Sequence, residues 1–471
     1  VIPLRLAEVA ELARGVVGAG GDDTLVTAPP AADSRQTVPG GLFVAVRGER
    51  VDGHEYVEQA LAGGAVASLV SRPVPGPHVL VDDPVAAVGR LARAVVDRLV
   101  AGGLRVVGVT GSSGKTSTKD LLAHLLSAAG PTVAPAGSLN TEIGVPLTAL
   151  RADADTRYLV VEMGARGAGH IAYLCDVTPP QVGVVLNVGS AHAGEFGGRE
   201  ATARAKAELV AALPAAAAGG VAVLNADDPL VAAMAADTAA RVVTVGADAE
   251  ADVRAGDVRL DERGRPTYVL QAAGGGPVPV TLPLHGAHHV ANSLAAAAVA
   301  LESGLRPAEV AALLGGVPPS SRWRMEVSER ADGLLVVNDA YNANPDSVRA
   351  ALAALGAMAA GRRTWAVLGE MLELGAASTA EHEEVGRLAR RSGVDRLVVV
   401  GEGARAVHAG ALAEGAVEGE ESVVVADVPA ALALLASAVR PGDVVLVKAS
   451  RGVGLERVAE GLLGGLGRDR S

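Results

Sequence analysis

Residues 106–120 read VVGVTGSSGKTSTKD. An apolar run, Val106 to Val109, breaks into a glycine-rich turn at Thr110-Gly111-Ser112-Ser113-Gly114, and Lys115-Thr116-Ser117 then opens a helical stretch. Strand, turn and helix in that order build a phosphate cradle. The N–H groups of the turn and of the first helical turn lack internal partners, and the helix dipole favours an anion at the same spot. Lys115 adds a cation for terminal phosphates, and the Thr116 hydroxyl is placed to bind Mg²⁺. The pattern departs from a strict Walker A motif, whose first glycine would fall at Val109. The stretch therefore predicts a nucleotide site and leaves the reaction open.

At 471 residues the chain has room for about three domains, and 49% hydrophobic content supports several cores. Aromatic residues make up only 2%, so those cores must be packed from Val, Leu and Ala. A formal charge of -12 argues against a general nucleic-acid surface while leaving room for a local basic pocket. The lone Cys175 excludes an internal disulfide framework, fits a reducing compartment and reads as a buried small residue. The first fifteen residues carry acids and read as an amphipathic helix, not a signal peptide. No apolar run is long enough to span a membrane. A cytoplasmic monomer is expected. Of 41 basic residues only Lys115, Lys119, Lys206 and Lys448 are lysine. Such a chain keeps lysine where a compact ammonium, or an amine able to lose its proton, is needed. Lys119 is expected to be an ordinary solvated helix residue.

The surrounding pattern gives an α/β fold in three domains. Residues 1–100 alternate short strands, at 42–46, 66–70 and 79–81, with helices. Their segments Asp33-Ser34-Arg35 and 48–54 read as solvated surface loops. Residues 101–317 repeat strand, loop and helix, which implies a parallel sheet with ligands at the carboxyl ends of its strands. After a turn-rich segment at 137–146, strand 158–161 ends in Glu162, whose carboxylate is placed to reach a Mg²⁺ held by Thr116. Strand 182–186 delivers His192 to the same edge, where a metal ligand and a structural hydrogen-bonder are equal readings. Helix 202–212 carries Lys206, residues 253–283 read as β-hairpins, and a helix from His288 closes the domain. Past Pro318, residues 318–471 form a Rossmann-like domain with strands at 334–337, 365–368, 397–400, 423–425 and 444–447. Its first strand lacks a following GxGxxG and runs instead into DAYNANP at 339–345.

Taken in order, TGSSGKTS, Asn140-Thr141, Glu162, His192, Lys206, the segment Gly286 to Asn292, Arg324-Met325-Glu326 and DAYNANP resemble the Mur ligases over nearly the whole chain. DAYNANP, GEMLELG at 369–375 and Lys448-Ala449-Ser450-Arg451 are similar to the branch that adds D-alanyl-D-alanine to UDP-N-acetylmuramoyl-tripeptide. The Asp-Asn-Pro motif expected of a diamino-acid-adding member is missing. The resemblance implies a small N-terminal domain binding the UDP-sugar substrate, a central P-loop ATPase domain and a C-terminal Rossmann-like domain. It implies ATP and Mg²⁺, an acyl-phosphate intermediate, and no nucleic-acid partner. It further implies that Lys115 and the loop Thr110 to Ser117 steady the phosphates, and that Thr116 and Glu162 ligate one Mg²⁺. His192 then ligates a second metal, beside a Lys206 that is carbamylated by CO₂. By the same resemblance Asn292 contacts adenine, Arg324 and Asp339 close on ATP, and Ser34 and Arg35 hold the uridine diphosphate. Asn140 and Thr141 contact the same substrate, and Tyr341, Asn342 and Asn344 lie near D-alanyl-D-alanine. Rival readings are a diamino-acid-adding sibling, a folylpolyglutamate synthase-like ligase, a simple P-loop kinase or ATPase, and a non-catalytic nucleotide-binding module.

Overall fold

The computed structural model describes residues 1–18, 21, 23–48, 51–189, 198–318 and 321–464. Strand Arg105–Thr110 is the axis of the fold. It is buried along all but its first residue, as an apolar strand covered on both faces must be. It pairs in parallel with Tyr158–Glu162 on one side and with Val182–Val185 on the other. The chain visits one side first and then crosses to the other, so a crevice opens at the strand's carboxyl end. The glycine-rich loop lies in that crevice and runs into helix Lys115–Ser127.

Strands Val221–Asn225 and Arg241–Gly246 extend the sheet in parallel beyond Val182–Val185. The segment expected to form hairpins does so, as Val253–Leu260, Pro266–Ala272 and Val278–Thr281 pair antiparallel. These three strands are the far edge of the same nine-stranded sheet. One face of the sheet packs against helices Lys115–Ser127 and His288–Glu302. The unbroken alanine run from Ala295 to Ala298 lets the second of these lie close to Leu121, Leu122 and Leu125. The other face is covered by Gly144–Ala149, His170–Val177 and Arg199–Ala211. The helix start at Gly144 lies inside the segment read as turns. Cys175 is buried, with its Sγ 3.7 Å from Met163 Sδ.

A second sheet, ordered Val16–Val17, His78–Leu80, Ala67–Val70 and Leu42–Val44, forms the N-terminal unit with helix Leu6–Ala13. Helix Pro84–Ala101 joins it to the centre. Its residues Val88, Leu91, Val95 and Leu99 belong to one apolar cluster that runs from Leu6 and Val44 to Val161 and Ile171. Residues 51–54 differ from the expectation of solvated charge. His54 is buried, with Nδ1 2.6 Å from Asp52 Oδ1, while its Nε2 accepts the Ser71 N–H at 2.9 Å. It pins the turn to the end of strand Ala67–Val70.

The C-terminal unit holds a six-stranded sheet, ordered Glu326–Glu329, Leu335–Asn338, Val444–Lys448, Thr364–Leu368, Arg396–Val400 and Ser422–Val425. Its first strand is antiparallel and was not anticipated, because Glu-Val-Ser-Glu holds a single apolar residue. Inserting Val444–Lys448 between the first and second parallel strands brings the loops after all three to one edge. Asp443 anchors the base of this sheet. Its carboxylate accepts from Arg363 Nη2 at 2.6 Å, Trp365 Nε1 at 2.9 Å and Arg440 N at 2.9 Å. Burial raises its pKa, but these hydrogen bonds outweigh burial and hold it below the usual carboxylate value. Asp443→Ala leaves the partly buried Arg363 guanidinium without its carboxylate and the Trp365 and Arg440 N–H groups without their acceptor, and is expected to cost roughly 3 kcal/mol in denaturant unfolding. A depressed folded pKa gives stability that is present above the unfolded value and lost as pH falls. The wild type should therefore lose this contribution below about pH 4, and the variant should show a flatter acid limb.

Candidate active site

Gly114 has a φ of +81°, and a Cβ there would lie 2.4 Å from Asn292 Oδ1. Only glycine turns the loop there and lets Asn292 pack directly against it. Asn187, just beyond strand Val182–Val185, braces the loop from the other side. Its carbonyl accepts the Ser112 N–H at 3.1 Å and its Oδ1 accepts the Ser113 N–H at 2.9 Å. These two N–H groups are thus engaged, contrary to the reading of a fully open turn. The N–H groups of Lys115, Thr116 and Ser117, in the first helical turn, have no intrahelical partner. Lys115 Nζ donates to Gly111 O at 2.6 Å. Burial pulls its pKa down, opposed by the charge of Glu162 and reinforced by Arg324.

Thr116 stands at the centre. Its hydroxyl donates to Glu162 Oε2 at 2.9 Å and accepts from Arg324 Nη2 at 3.1 Å. Glu162 ends the strand beside the loop, in register with Val109, and is 1% exposed. Its Oε1 accepts from Asn140 Nδ2 at 2.8 Å and Ser138 Oγ at 3.0 Å. Arg324 comes from the C-terminal unit, with its guanidinium carbon 4.2 Å from the centre of the Tyr341 ring. The residues on either side of it, Trp323 and Met325, have φ of +59° and +47°. Left-handed backbone at two bulky residues costs about 1–3 kcal/mol each. The turn is held by hydrogen bonds from Trp323 N to Glu326 Oε2 at 2.9 Å and from Met325 N to Asp339 Oδ1 at 3.1 Å.

Lys206 reaches the same cleft from helix Arg199–Ala211 and is 5% exposed. Burial, together with the charge of Lys115, pulls its pKa down to about 7. Burial likewise lowers the pKa of His288 and His289. The Nδ1 atoms of both, and Asn292 Nδ2, are buried with no hydrogen-bond partner among the described residues. Three orphaned polar atoms beside a phosphate loop fit the polar edge of a purine base.

The cleft has a volume of about 690 Å³. It is lined by Asp83, Val85 and Ala86 of the N-terminal unit, Gly111 to Ser117, Asn140, Thr141, Glu162, Lys206 and Asn292 of the centre, and Arg324, Asp339, Tyr341, Asn342, Asn344, Glu373 and Lys448 of the C-terminal unit. Most of the expected site residues therefore meet here. Thr110 does not line the cleft. It is buried and its hydroxyl donates to Met163 O at 2.9 Å. Ser34 donates to Gln59 Oε1 at 3.0 Å, away from the cleft lining. Arg35 is paired with Asp33, whose carboxyl its hydrogen bonds hold down at about 2. His192 lies outside the described residues. Lys119, expected to be solvated, is buried, with its ammonium on Asp120 and on Pro135 O at 2.9 Å. The sequence reading missed Asn187, Ser138, His288, His289 and the direct part taken by Lys448. Asn187 could have been found by the logic that singled out Glu162, a polar residue following a core strand of the same sheet.

Three family models match the chain in succession: "Mur ligase family, catalytic domain" over residues 31–95, "Mur ligase middle domain" over 109–300, and "Mur ligase, glutamate ligase domain" over 323–451. The chain is 50% identical to the UDP-N-acetylmuramoyl-tripeptide–D-alanyl-D-alanine ligase of Mycobacterium tuberculosis, with 98% of each chain covered. Among solved structures it is similar to MurF from Acinetobacter baumannii, with a TM-score of 0.86, 30% identity and coverage of 98% and 99%. It is also similar to the MurF ligase of Thermotoga maritima in complex with ADP, with a TM-score of 0.78, 31% identity and coverage of 93% and 98%. Matched in three consecutive parts and along nearly its full length, the chain belongs to the Mur ligase family.

Proposed function

We infer that this chain is an ATP-dependent peptide ligase that joins D-alanyl-D-alanine to UDP-N-acetylmuramoyl-tripeptide in peptidoglycan precursor synthesis. The observation that carries this reading is the meeting of the phosphate loop, Glu162 and Lys206 with Arg324, Tyr341 and Asn342 at one cleft, in a chain half identical to a ligase of that name. In the first step a carboxylate oxygen of the tripeptide bonds to the γ-phosphorus of ATP, the β–γ bridging bond breaks, and ADP and an acyl phosphate result. In the second, the amino group of D-alanyl-D-alanine attacks the acyl carbon, phosphate departs with the bonding pair, and the nitrogen gives up its extra proton. Both steps bring anions together, so cations and positioning carry the rate.

Lys115, Arg324 and the N–H groups of the first helical turn hold the transferring phosphoryl group. The Thr116 hydroxyl and the Glu162 carboxylate are adjacent hard oxygen donors, and no group of three or more His, Cys, Asp or Glu surrounds a metal position among the described residues. That donor set fits Mg²⁺, which keeps water and phosphate oxygens in its remaining positions. Bound there, Mg²⁺ neutralises charge on the phosphates. Lys206 is proposed as the carbamate-forming lysine: burial and the charge of Lys115 lower its pKa to about 7, which favours the neutral amine that CO₂ needs relative to an ordinary lysine. By its resemblance to the family, His192 is proposed as a ligand of a second metal. Asn292 receives adenine, and Asp339 closes on ATP with Arg324.

Asn140 and Thr141 hold the tripeptide substrate, and Tyr341, Asn342 and Asn344 the dipeptide. Ser34 and Arg35 hold the uridine diphosphate. They need not line the cleft, because that substrate is long enough to lie between the N-terminal unit and the centre. On this reading residues 1–100 bind the UDP-sugar, 101–317 bind ATP and 318–471 complete the ligation site. We propose further that the chain acts as a monomer, and its nucleotide-linked substrates support a cytoplasmic setting. No helix among the described residues is long and apolar enough to cross a membrane. Because the cleft is walled by three units, we propose an open-to-closed domain movement during turnover.

Phosphate release from ATP should require UDP-N-acetylmuramoyl-tripeptide and D-alanyl-D-alanine together. Release driven by a free diamino acid with the shorter UDP-muramoyl dipeptide would assign the chain to a sibling activity. Lys206→Ala is expected to lose activity by at least a hundredfold and to recover part of it in short-chain carboxylic acids. Undiminished activity in that variant would remove the carbamate from the account.

A further inference from the structure

The mechanism above leaves Lys448 without a role, although it lines the cleft and is one of only four lysines. It ends strand Val444–Lys448, the strand inserted between Leu335–Asn338 and Thr364–Leu368. The ammonium is 3% exposed and donates to Asp339 Oδ2 at 2.6 Å and to Asn342 O at 2.8 Å. Asp339 spends its other oxygen on the N–H of Met325, inside the strained turn that carries Arg324. The same strand end also braces the neighbouring loop. Ser450 N donates to Glu370 O at 3.0 Å, and Ser450 Oγ accepts the Leu372 N–H at 2.9 Å.

We propose that Lys448 is a positioning residue for the ligation: held between Asp339 and Asn342, it locks the loop 339–344 and, through Asp339 and Met325, the turn that delivers Arg324 to Thr116. The role deepens the ligase reading and rests on it. The linkage is one of geometry. Arg324 meets Thr116 at 3.1 Å and stacks on Tyr341, and both Arg324 and Tyr341 are attached to segments that converge on the Lys448 ammonium. A compact ammonium suits this place because its donors diverge toward two acceptors on different parts of one loop, whereas a planar guanidinium presents a wide fork. Without the ammonium, the Asp339 carboxylate loses its hydrogen-bonded counter-charge, and the Met325 contact that steadies left-handed backbone on one side of Arg324 is weakened.

The test uses the full-length enzyme with Lys448→Met. Because Arg324 belongs to the nucleotide side, KM for ATP is expected to rise about tenfold. Loss of alignment should lower kcat about a hundredfold. KM for the UDP-muramoyl tripeptide, whose contacts lie on the other two units, is expected to stay within twofold. A structural role alone would reduce the amount of active enzyme and leave all three KM values unmoved, and that result would overturn the proposal. Calorimetric titration with a non-hydrolysable ATP analogue, with no other substrate present, separates this claim from the ligase reading. If the wild type ligates nothing, that reading fails, while weakened analogue binding by Lys448→Met would still support the positioning role. Should Lys448→Met not fold, Lys448→Arg takes its place in the same titration. Several-fold weaker binding is expected from the wide guanidinium, and wild-type affinity would overturn the proposal.

Discussion

The Thr116 hydroxyl sits between a buried carboxylate and a guanidinium that arrives from another unit of the fold. The contact with Glu162 is buried, so it is worth more here than on a surface, and the Arg324 contact lies at the wall of the cleft. Glu162 is 1% exposed, and the donors that surround it, Thr116 on one oxygen and Asn140 and Ser138 on the other, satisfy its buried oxygens. The cation side needs a comparable balance, with Lys115, Lys206 and Arg324 gathered near one another. Burial and mutual repulsion lower the lysine pKa values, and phosphates are the ligands whose charge such a group best receives.

The rest of the architecture follows from the need to bring these groups together. A crossover on both sides of strand Arg105–Thr110 places the loop, Glu162 and Asn187 at one sheet edge. An inserted strand in the C-terminal unit does the same for Asp339, Lys448 and the loop at 369–375. Where the two edges face each other, the chain accepts left-handed backbone at Trp323 and Met325. The stacking of Arg324 on Tyr341 and the hydrogen bonds from Met325 and Trp323 hold a conformation that isolated peptide would reject.

Features written in local sequence are legible from the sequence itself. A glycine-rich turn between a valine strand and Lys-Thr has few other uses, and strand 158–162 announces its polar end by the break in its apolar run. Ser34 and Arg35 were read by resemblance, and their local contacts to Gln59 and Asp33 carry no information about a distant substrate. Groups whose role depends on distant partners were misread. His54 reads as a loop residue until Ser71 is brought beside it, and Lys119 reads as a surface residue until Pro135 covers it. The meeting of Lys448 with Asp339 spans 109 positions and depends on strand order, which no pattern of hydrophobicity specifies.

The C-terminal unit reaches the phosphate loop through the contact of Arg324 with Thr116. A double-mutant cycle measures this directly, using Thr116→Val, Arg324→Ala and the pair, each titrated calorimetrically with a non-hydrolysable ATP analogue and Mg²⁺. Residues in contact couple, so the double variant should bind the analogue more tightly than the sum of the single losses implies, by about 1 kcal/mol or more. Strict additivity would mean that the two side chains act independently when nucleotide is bound, and it would contradict the shared site described above.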